Sequence, residues 1–300
     1  MFSRDQLVFL AYAAAITKSI RLGIAVIDPM SRHPVSIASS IATLSSLTRR
    51  ELFVGLGSSQ PEVLSRLSID SSRPVEICKE AALIIKGLLS GEEATYKGEI
   101  FEVHRAQLRM GDHAVARVLI GAQGPKFINM TGEFADGLIL PLGPQKYLKD
   151  SIELFFRGVE KSGRKKSEVS LIVVGNLVAA EDEVIALSFA KRRVAESISH
   201  LSSAAFNSLG IARIEAESYR RDPSKMPDHI AQELAICGSI EYCLERLMDL
   251  RKMGVSEFFL HNASLYTEFS ESDFEWIVEN TRKVSQLVHA LNSNSDNILK

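Results

Sequence analysis

Apolar residues along the chain fall into two alternating patterns: short, nearly continuous runs, and longer stretches with helical spacing. One run, Ile20 to Ile27, breaks off at Asp28-Pro29, where proline has no N–H for a ladder and holds its predecessor extended. His33-Pro34 then precedes a helical pattern at roughly 35–47. Strand, polar loop and helix in that order is the repeating unit of an α/β barrel, whose loops after strands build the active site. Further strand-like runs lie at 51–57, 115–121, 136–142, 169–179 and 255–261, giving six with the first at 19–27. Helical stretches separate them: Leu7 to Thr17 (expected as a buried helix), then 73–89, 127–134, 145–161, 240–253 and about 272–291. Residues 181–235 read as a helical insertion without a strand, with a loop at Arg220 to Pro227, and about 292–300 as a frayed tail. Ile100 to Val103 alternates like an exposed strand in an excursion between two elements. The pattern predicts an α/β fold with a parallel sheet in a single domain, residues 1–300.

Composition narrows the function more than the fold. The 35 basic and 37 acidic residues leave a net charge of −2, which gives no electrostatic footprint for nucleic acid. The basic triplets Arg164 to Lys166 and Lys191 to Arg193 read as solvated helix ends or faces. Three scattered cysteines, Cys78, Cys237 and Cys243, suit buried packing better than a disulfide framework or a zinc site. No apolar run reaches the roughly 18 residues of a membrane span, and the first ten residues lack a signal-peptide pattern. A cytoplasmic protein without nucleic-acid or membrane partners is expected; a small-molecule substrate and a homo-oligomer are expected too, on grounds other than composition.

Two strand ends carry candidate chemistry. Gly55-Leu56-Gly57-Ser58 offers small residues for the close approach of a ligand, and Ser58 can donate a hydrogen bond. Gly121-Ala122-Gln123-Gly124 precedes a helix, where exposed backbone N–H groups and the helix dipole favour an anion; a plain strand-to-helix turn is the competing reading. No Ser-His-Asp set, paired carboxylates or metal-ligand cluster stands out, and no catalytic residue is assigned. His261 ends the last strand, and His104 and His113 fall in the excursion.

The motifs A-V-I-D-P-M-S-R-H-P (25–34), I-A-T-L-S-S-L (41–47), V-G-L-G (54–57), I-G-A-Q-G-P-K (120–126), G-E-F-A-D-G (132–137) and I-C-G-S-I-E-Y-C-L-E-R (236–246) together resemble the bacterial-luciferase-like superfamily. Within it the chain is most similar to the coenzyme F420-dependent methylenetetrahydromethanopterin reductases, over about residues 5–290. The resemblance implies a TIM-type (β/α)8 barrel in which residue 5 onwards corresponds to the second helix. About six of its eight strands would then be present, with the N-terminal β-α-β lacking. If the chain begins at Met1, its first and last strands are expected as sheet edges that favour association.

The resemblance also implies a site. Relatives carry a non-prolyl cis peptide in a bulge against the deazaflavin, and the matching bond is Ala25–Val26, followed by Ile27 and Asp28. Asp28 departs from the Thr or Asn of relatives, since a carboxylate accepts but cannot donate a hydrogen bond. Gly55, Gly57 and Ser58 would line the cofactor, and Gly121, Ala122, Gln123 and Gly124 would hold its phosphate. Arg32 and His33 would serve the start of the next helix and a subunit contact. The implied activity is hydride transfer between reduced F420 and a pterin-like or other small substrate. An FMN-dependent monooxygenase and a non-catalytic barrel remnant are the alternatives.

Overall fold

The computed structural model describes residues 5–262 apart from 60, 71 and 110–114, together with Arg282. Its elements, in order, are α1 (Gln6–Ile16), β1 (Leu22–Ile27), α2 (Pro34–Thr48), β2 (Leu52–Leu56), α3 (Pro61–Ser65), α4 (Pro74–Leu89), β3 (Ala94–Lys97), β4 (Glu102–Ala106), β5 (Ala116–Gly121) and α5 (Pro125–Phe134). There follow β6 (Gly137–Pro141), α6 (Gln145–Lys161), β7 (Ser170–Ala179), α7 (Glu183–Ser197), α8 (Ser203–Leu209), α9 (Arg213–Arg221), α10 (Asp228–Leu234), β8 (Ala235–Gly238), α11 (Ile240–Lys252) and β9 (Glu257–Asn262). The expected helix from Ser272 to Leu291, the tail after it and His113 lie outside the described residues.

Packing divides the chain into two units, one built from residues up to 122 with 126–139 and 154–170, the other from 123–125, 140–153 and the described residues after 170. In the first, β1, β2, β5 and β6 pair side by side, all parallel. Parallel strands covered on both faces need continuous apolar runs, and β2 is buried along its whole length. Strand β1 is shorter than the sequence run predicts: it begins at Leu22, Ile20 is exposed, and burial then alternates, leaving Ala25 open.

Helix α1 departs further from expectation. Its residues are apolar all round, but burial is confined to Leu7, Leu10 and Ala14, while Val8, Phe9, Tyr12 and Ile16 stay more than half exposed. A continuous apolar sequence cannot announce which of its stripes will find a partner. The Asp5 carboxylate caps the helix, accepting from the N–H groups of Leu7 and Val8 at 2.9 and 3.0 Å.

The 132–137 motif is structural. A Cβ on Gly132 would meet the Phe155 carbonyl oxygen at 2.2 Å, so the backbones of α5 and α6 pack together there. Asp136 accepts from the Val118 N–H at 2.8 Å and from Lys86 Nζ at 2.5 Å, tying β5 and α4 to the start of β6. Arg164 caps the end of α5 by donating to the carbonyls of Ala135 and Gly132, so it is not the solvated end that its basic triplet suggested. The excursion is an antiparallel β3–β4 hairpin rather than a lone strand. Glu80 is 7% exposed and accepts from the N–H groups of Glu99, Ile100 and Phe101, which fastens the hairpin tip to α4.

In the second unit β7 pairs in parallel with β8 and β9. Helices α7 and α10 close over β8 in a core of small side chains, Ala186, Ala190, Ala195, Ala231 and Ala235 among them. The insertion is helical as predicted, with two refinements. Strand β8 follows it directly, too short at four residues to show a period, and α9 reaches Arg221 before a 3-10 turn at Pro223–Lys225. Among the described strands β1 pairs with β2 alone and β9 with β7 alone.

Candidate functional site

The parallel register brings the carboxyl ends of β1, β2 and β5 level, with Ala25 opposite Gly55, Gly55 opposite Leu119, and Leu56 opposite Ile120. Eight of the sequence-predicted residues gather there: Ala25, Val26, Ile27, Asp28, Gly55, Gly57, Gly121 and Ala122. Between Ala25 and Ile27 the register slips by one residue, so Val26 bulges out of the ladder, and the Ala25–Val26 peptide is cis. The Val26 isopropyl group lies over three glycines. A Cβ would sit 2.5 Å from its Cγ2 at Gly57, and 3.2 and 3.0 Å from its Cγ1 at Gly55 and Gly121. The small residues of two separate motifs thus make room for the chain's own bulge rather than leaving open space for a ligand. Ala25 is exposed at the crest, Ile27 and Ala122 are buried beside it, and Gln6 Nε2 donates to the Val26 carbonyl at 3.1 Å.

Asp28 serves its own loop. Its carboxylate accepts from the N–H groups of Met30 at 2.8 Å and Ser31 at 3.3 Å, an Asx turn closed by a residue only 9% exposed. Burial, together with the nearby Asp28 carboxylate, pushes the Cys78 thiol up to about 12. Arg32 pairs with Asp5 at 2.6 Å, and His33 Nδ1 accepts from the Val35 N–H at 3.2 Å, capping α2, while its ring meets Phe101 edge-on. For His33 this is the helix-start role read from the sequence, whereas Arg32 pairs with the cap of the preceding helix, α1. Ser58 is exposed past the end of β2, and His104 is exposed on the hairpin beside Glu102.

The remaining two predicted residues, Gln123 and Gly124, belong to the second unit. The Gln123 carbonyl accepts from Tyr147 Oη at 3.2 Å, and its Oε1 accepts from the Ser202 N–H at 3.0 Å. Because a trans peptide points its C=O and N–H in opposite directions, the bond to Tyr147 turns the Gly124 N–H away from that ring. A Cβ at Gly124 would meet nothing within 4 Å, so no neighbour demands glycine there.

This unit also holds a cavity of about 450 Å³, inside the usual range for small-molecule sites. Leu142, Val174 and Leu234 form part of its apolar wall, and Gln123, Asn176, Arg193, Glu196, His200 and His261 supply the polar groups. Asn176 and His261 face each other in the β7–β9 register. Partial burial, helped by the Arg193 guanidinium, pushes the His261 imidazole below its ordinary value. Arg193 is ion-paired with Glu196 one turn along α7, and Lys191 pairs with Asp228 at 2.6 Å. Of the triplet 191–193, only Arg192 is the exposed, solvated residue that charge alone suggests for all three.

Sequence reasoning missed Asn176, Arg193, Glu196 and Tyr147. One signal was legible: an asparagine inside the strand L-I-V-V-G-N-L-V-A, a residue type depleted from strands. Among the described residues no group of three or more His, Cys, Asp or Glu side chains is placed to hold a metal ion. No helix among them is long and apolar enough to cross a membrane.

Comparison with known proteins bears on the family and the fold. A 5,10-methylenetetrahydromethanopterin reductase from Methanolobus tindarius is 26% identical over 267 residues, spanning 85% of this chain and 81% of the relative. Two solved structures have the same fold. The coenzyme F420-dependent tetrahydromethanopterin reductase of Methanopyrus kandleri superposes with a TM-score of 0.76 at 22% identity, covering 86% of this chain and 81% of that one. A monooxygenase from Streptomyces bottropensis gives 0.69 at 19% identity, covering 96% and 83%. The fold class is therefore the α/β architecture of the luciferase-like barrels. The profile described as luciferase-like monooxygenase matches residues 1–257, well over half of the sequence, and the chain belongs to that family.

Proposed function

We propose that this chain is an F420-dependent oxidoreductase that passes a hydride between the reduced deazaflavin and a small, pterin-like substrate. The observation that carries the reading is Val26, bulged from β1 and seated over Gly55, Gly57 and Gly121, in a chain similar along most of its length to a methylenetetrahydromethanopterin reductase. Coenzyme F420, when bound, supplies hydride chemistry. The protein then has to align two carbons and keep the surroundings dry, which needs no nucleophile–base pair. The residues present fit that task. Ala25, Val26, Ile27 and Ala122 offer an apolar wall at the strand ends, and Ser58 a hydroxyl beside it. On this reading the Gly121–Gly124 loop holds the phosphate through backbone donors, with Tyr147 fixing the Gln123–Gly124 peptide.

A second reading, an FMN-dependent monooxygenase, draws support from the family's own description and from the Streptomyces bottropensis monooxygenase covering 96% of the chain. Titration with F420 and with FMN under anaerobic conditions, followed by absorbance, separates the two. Tight binding of F420 together with reduction of a pterin acceptor is the expected result. Retention of FMN with oxygen consumption would transfer the assignment to the monooxygenases, and retention of neither would favour a non-catalytic barrel.

A further inference from the structure

Two helices of the first unit are written without a single charge. Neither α1, of 11 residues, nor α2, of 15, contains Asp, Glu, Lys or Arg, although these make up 24% of the chain and α4, α5, α6, α7 and α11 all carry them. The two helices pack against each other, and both have an exposed side. On α1 Val8, Phe9, Tyr12 and Ile16 are 60–70% exposed and spaced to share one side of the helix; on α2 Leu47 is 76% exposed. A helix that faces water ordinarily turns charged residues outward.

The hydroxyls of α2 make little claim on water. Ser40, Thr43 and Thr48 donate to the carbonyls of Ser36, Ser39 and Leu44 in the preceding turn, at 3.0, 2.8 and 2.7 Å. Hydroxyls bonded within their own helix can be covered without orphaning a donor. On α1 the exposed Ala11 and Ala15 leave grooves between the large side chains, the relief that helix packing uses.

Size and charge point to one occupant. The exposed side chains of α1 and α2 together present roughly 800 Å², about what each partner gives up in an interface of standard size. A twofold contact sets a patch against itself, so that any charge within it faces its like; a charge-free patch carries no such penalty. We infer that the outer faces of α1 and α2 form the contact between two copies of this chain, related by a twofold axis. The helix covered in this way also carries Gln6, whose amide donates to the Val26 carbonyl at 3.1 Å, so the contact and the strand-end site share one element. The inference does not depend on which cofactor or substrate the chain takes.

Sedimentation velocity from about 1 to 100 μM tests it, on the native protein and on Tyr12→Glu, Leu47→Glu and Ile214→Glu. The last is the control, a residue of the second unit that is 77% exposed. Circular dichroism confirms that each variant folds, and Tyr12→Ala replaces Tyr12→Glu if that one does not. The native chain is expected to dimerise within this range. Each of the two face variants should weaken the dimer by about a hundredfold or more, Tyr12→Ala by about tenfold, and Ile214→Glu should behave as native. Hydrogen exchange in α1 of the native protein should slow as concentration rises through the dissociation constant. A native protein that stays monomeric throughout would overturn the inference and leave the face to a different occupant. Dimers that persist undiminished in both folded face variants would place the contact elsewhere and overturn it as well, as would an equal loss in Ile214→Glu.

Discussion

At Gly57 an added Cβ would lie 2.5 Å from Val26 Cγ2, closer than two carbons can approach, whereas at Gly124 it would meet nothing within 4 Å. The two glycines look alike in the sequence and have opposite consequences. Gly57→Ala is expected to cost about 1–3 kcal/mol, the usual penalty of overpacking. Val26→Ala in the same chain should recover much of it, because the clash is with the valine methyl. Chemical denaturation of the two single variants and the double variant measures this coupling; strictly additive losses would mean that the bulge and its seat are independent. Gly124→Val should leave stability within about 0.5 kcal/mol. If the loop backbone holds the cofactor phosphate, F420 affinity should nevertheless fall by about tenfold. Equal affinity in Gly124→Val and native protein would return the loop to a plain strand-to-helix turn.

Element by element, the helices begin where short-range chemistry puts them, and α1 shows how one start responds to pH. The Val8 N–H, with Arg32 beside the carboxylate and the Leu7 N–H, holds the Asp5 carboxyl below its ordinary value. A depressed value means that the capping contribution is complete above the unfolded pKa of about 3.9 and is lost as pH falls through the lower folded value. Hydrogen-exchange protection at Leu7 and Val8, taken relative to the intrinsic rate at each pH, should therefore fall below about pH 4 in the native protein. Asp5→Asn should flatten that dependence, since an amide caps without titrating in this range. An identical acid transition in the variant would show that another group controls the N-terminus of α1. The other starts were readable in the same terms: Pro34 and Pro74 each stand in a first turn, and Asp182 and Ser239 cap α7 and α11. Strand β8 was not, because four buried residues carry no period to read.

Across the whole molecule the thiols report on packing. Burial pushes Cys78 and Cys243 up to about 12 and Cys237 up to about 11, so all three stay protonated and unreactive while the chain is folded. A chromogenic thiol reagent should label none of them rapidly at neutral pH and all three once denaturant unfolds the protein; fast labelling of one in native buffer would show local opening around it. The cysteines were legible as buried residues because a lone thiol in an apolar helical pattern has little else to do. The strand–helix alternation was legible for a related reason: parallel strands covered on both faces must be written as apolar runs, and four of the six runs here end at or just before proline or glycine. Those local rules, with the resemblance of six ordered motifs, determined the fold class and placed Ala25 to Asp28, Gly55, Gly57, Gly121 and Ala122 at neighbouring strand ends. Only the tertiary structure decided what each of them does there. It filled the space at the glycines with Val26, turned Asp28 into its own loop, and made Arg193 and Asn176 walls of a cavity. A side chain's role depends on which distant segment packs against it, and residues far apart in sequence, such as Gln123 and Ser202 or Asn176 and His261, carry no local sign that they will meet.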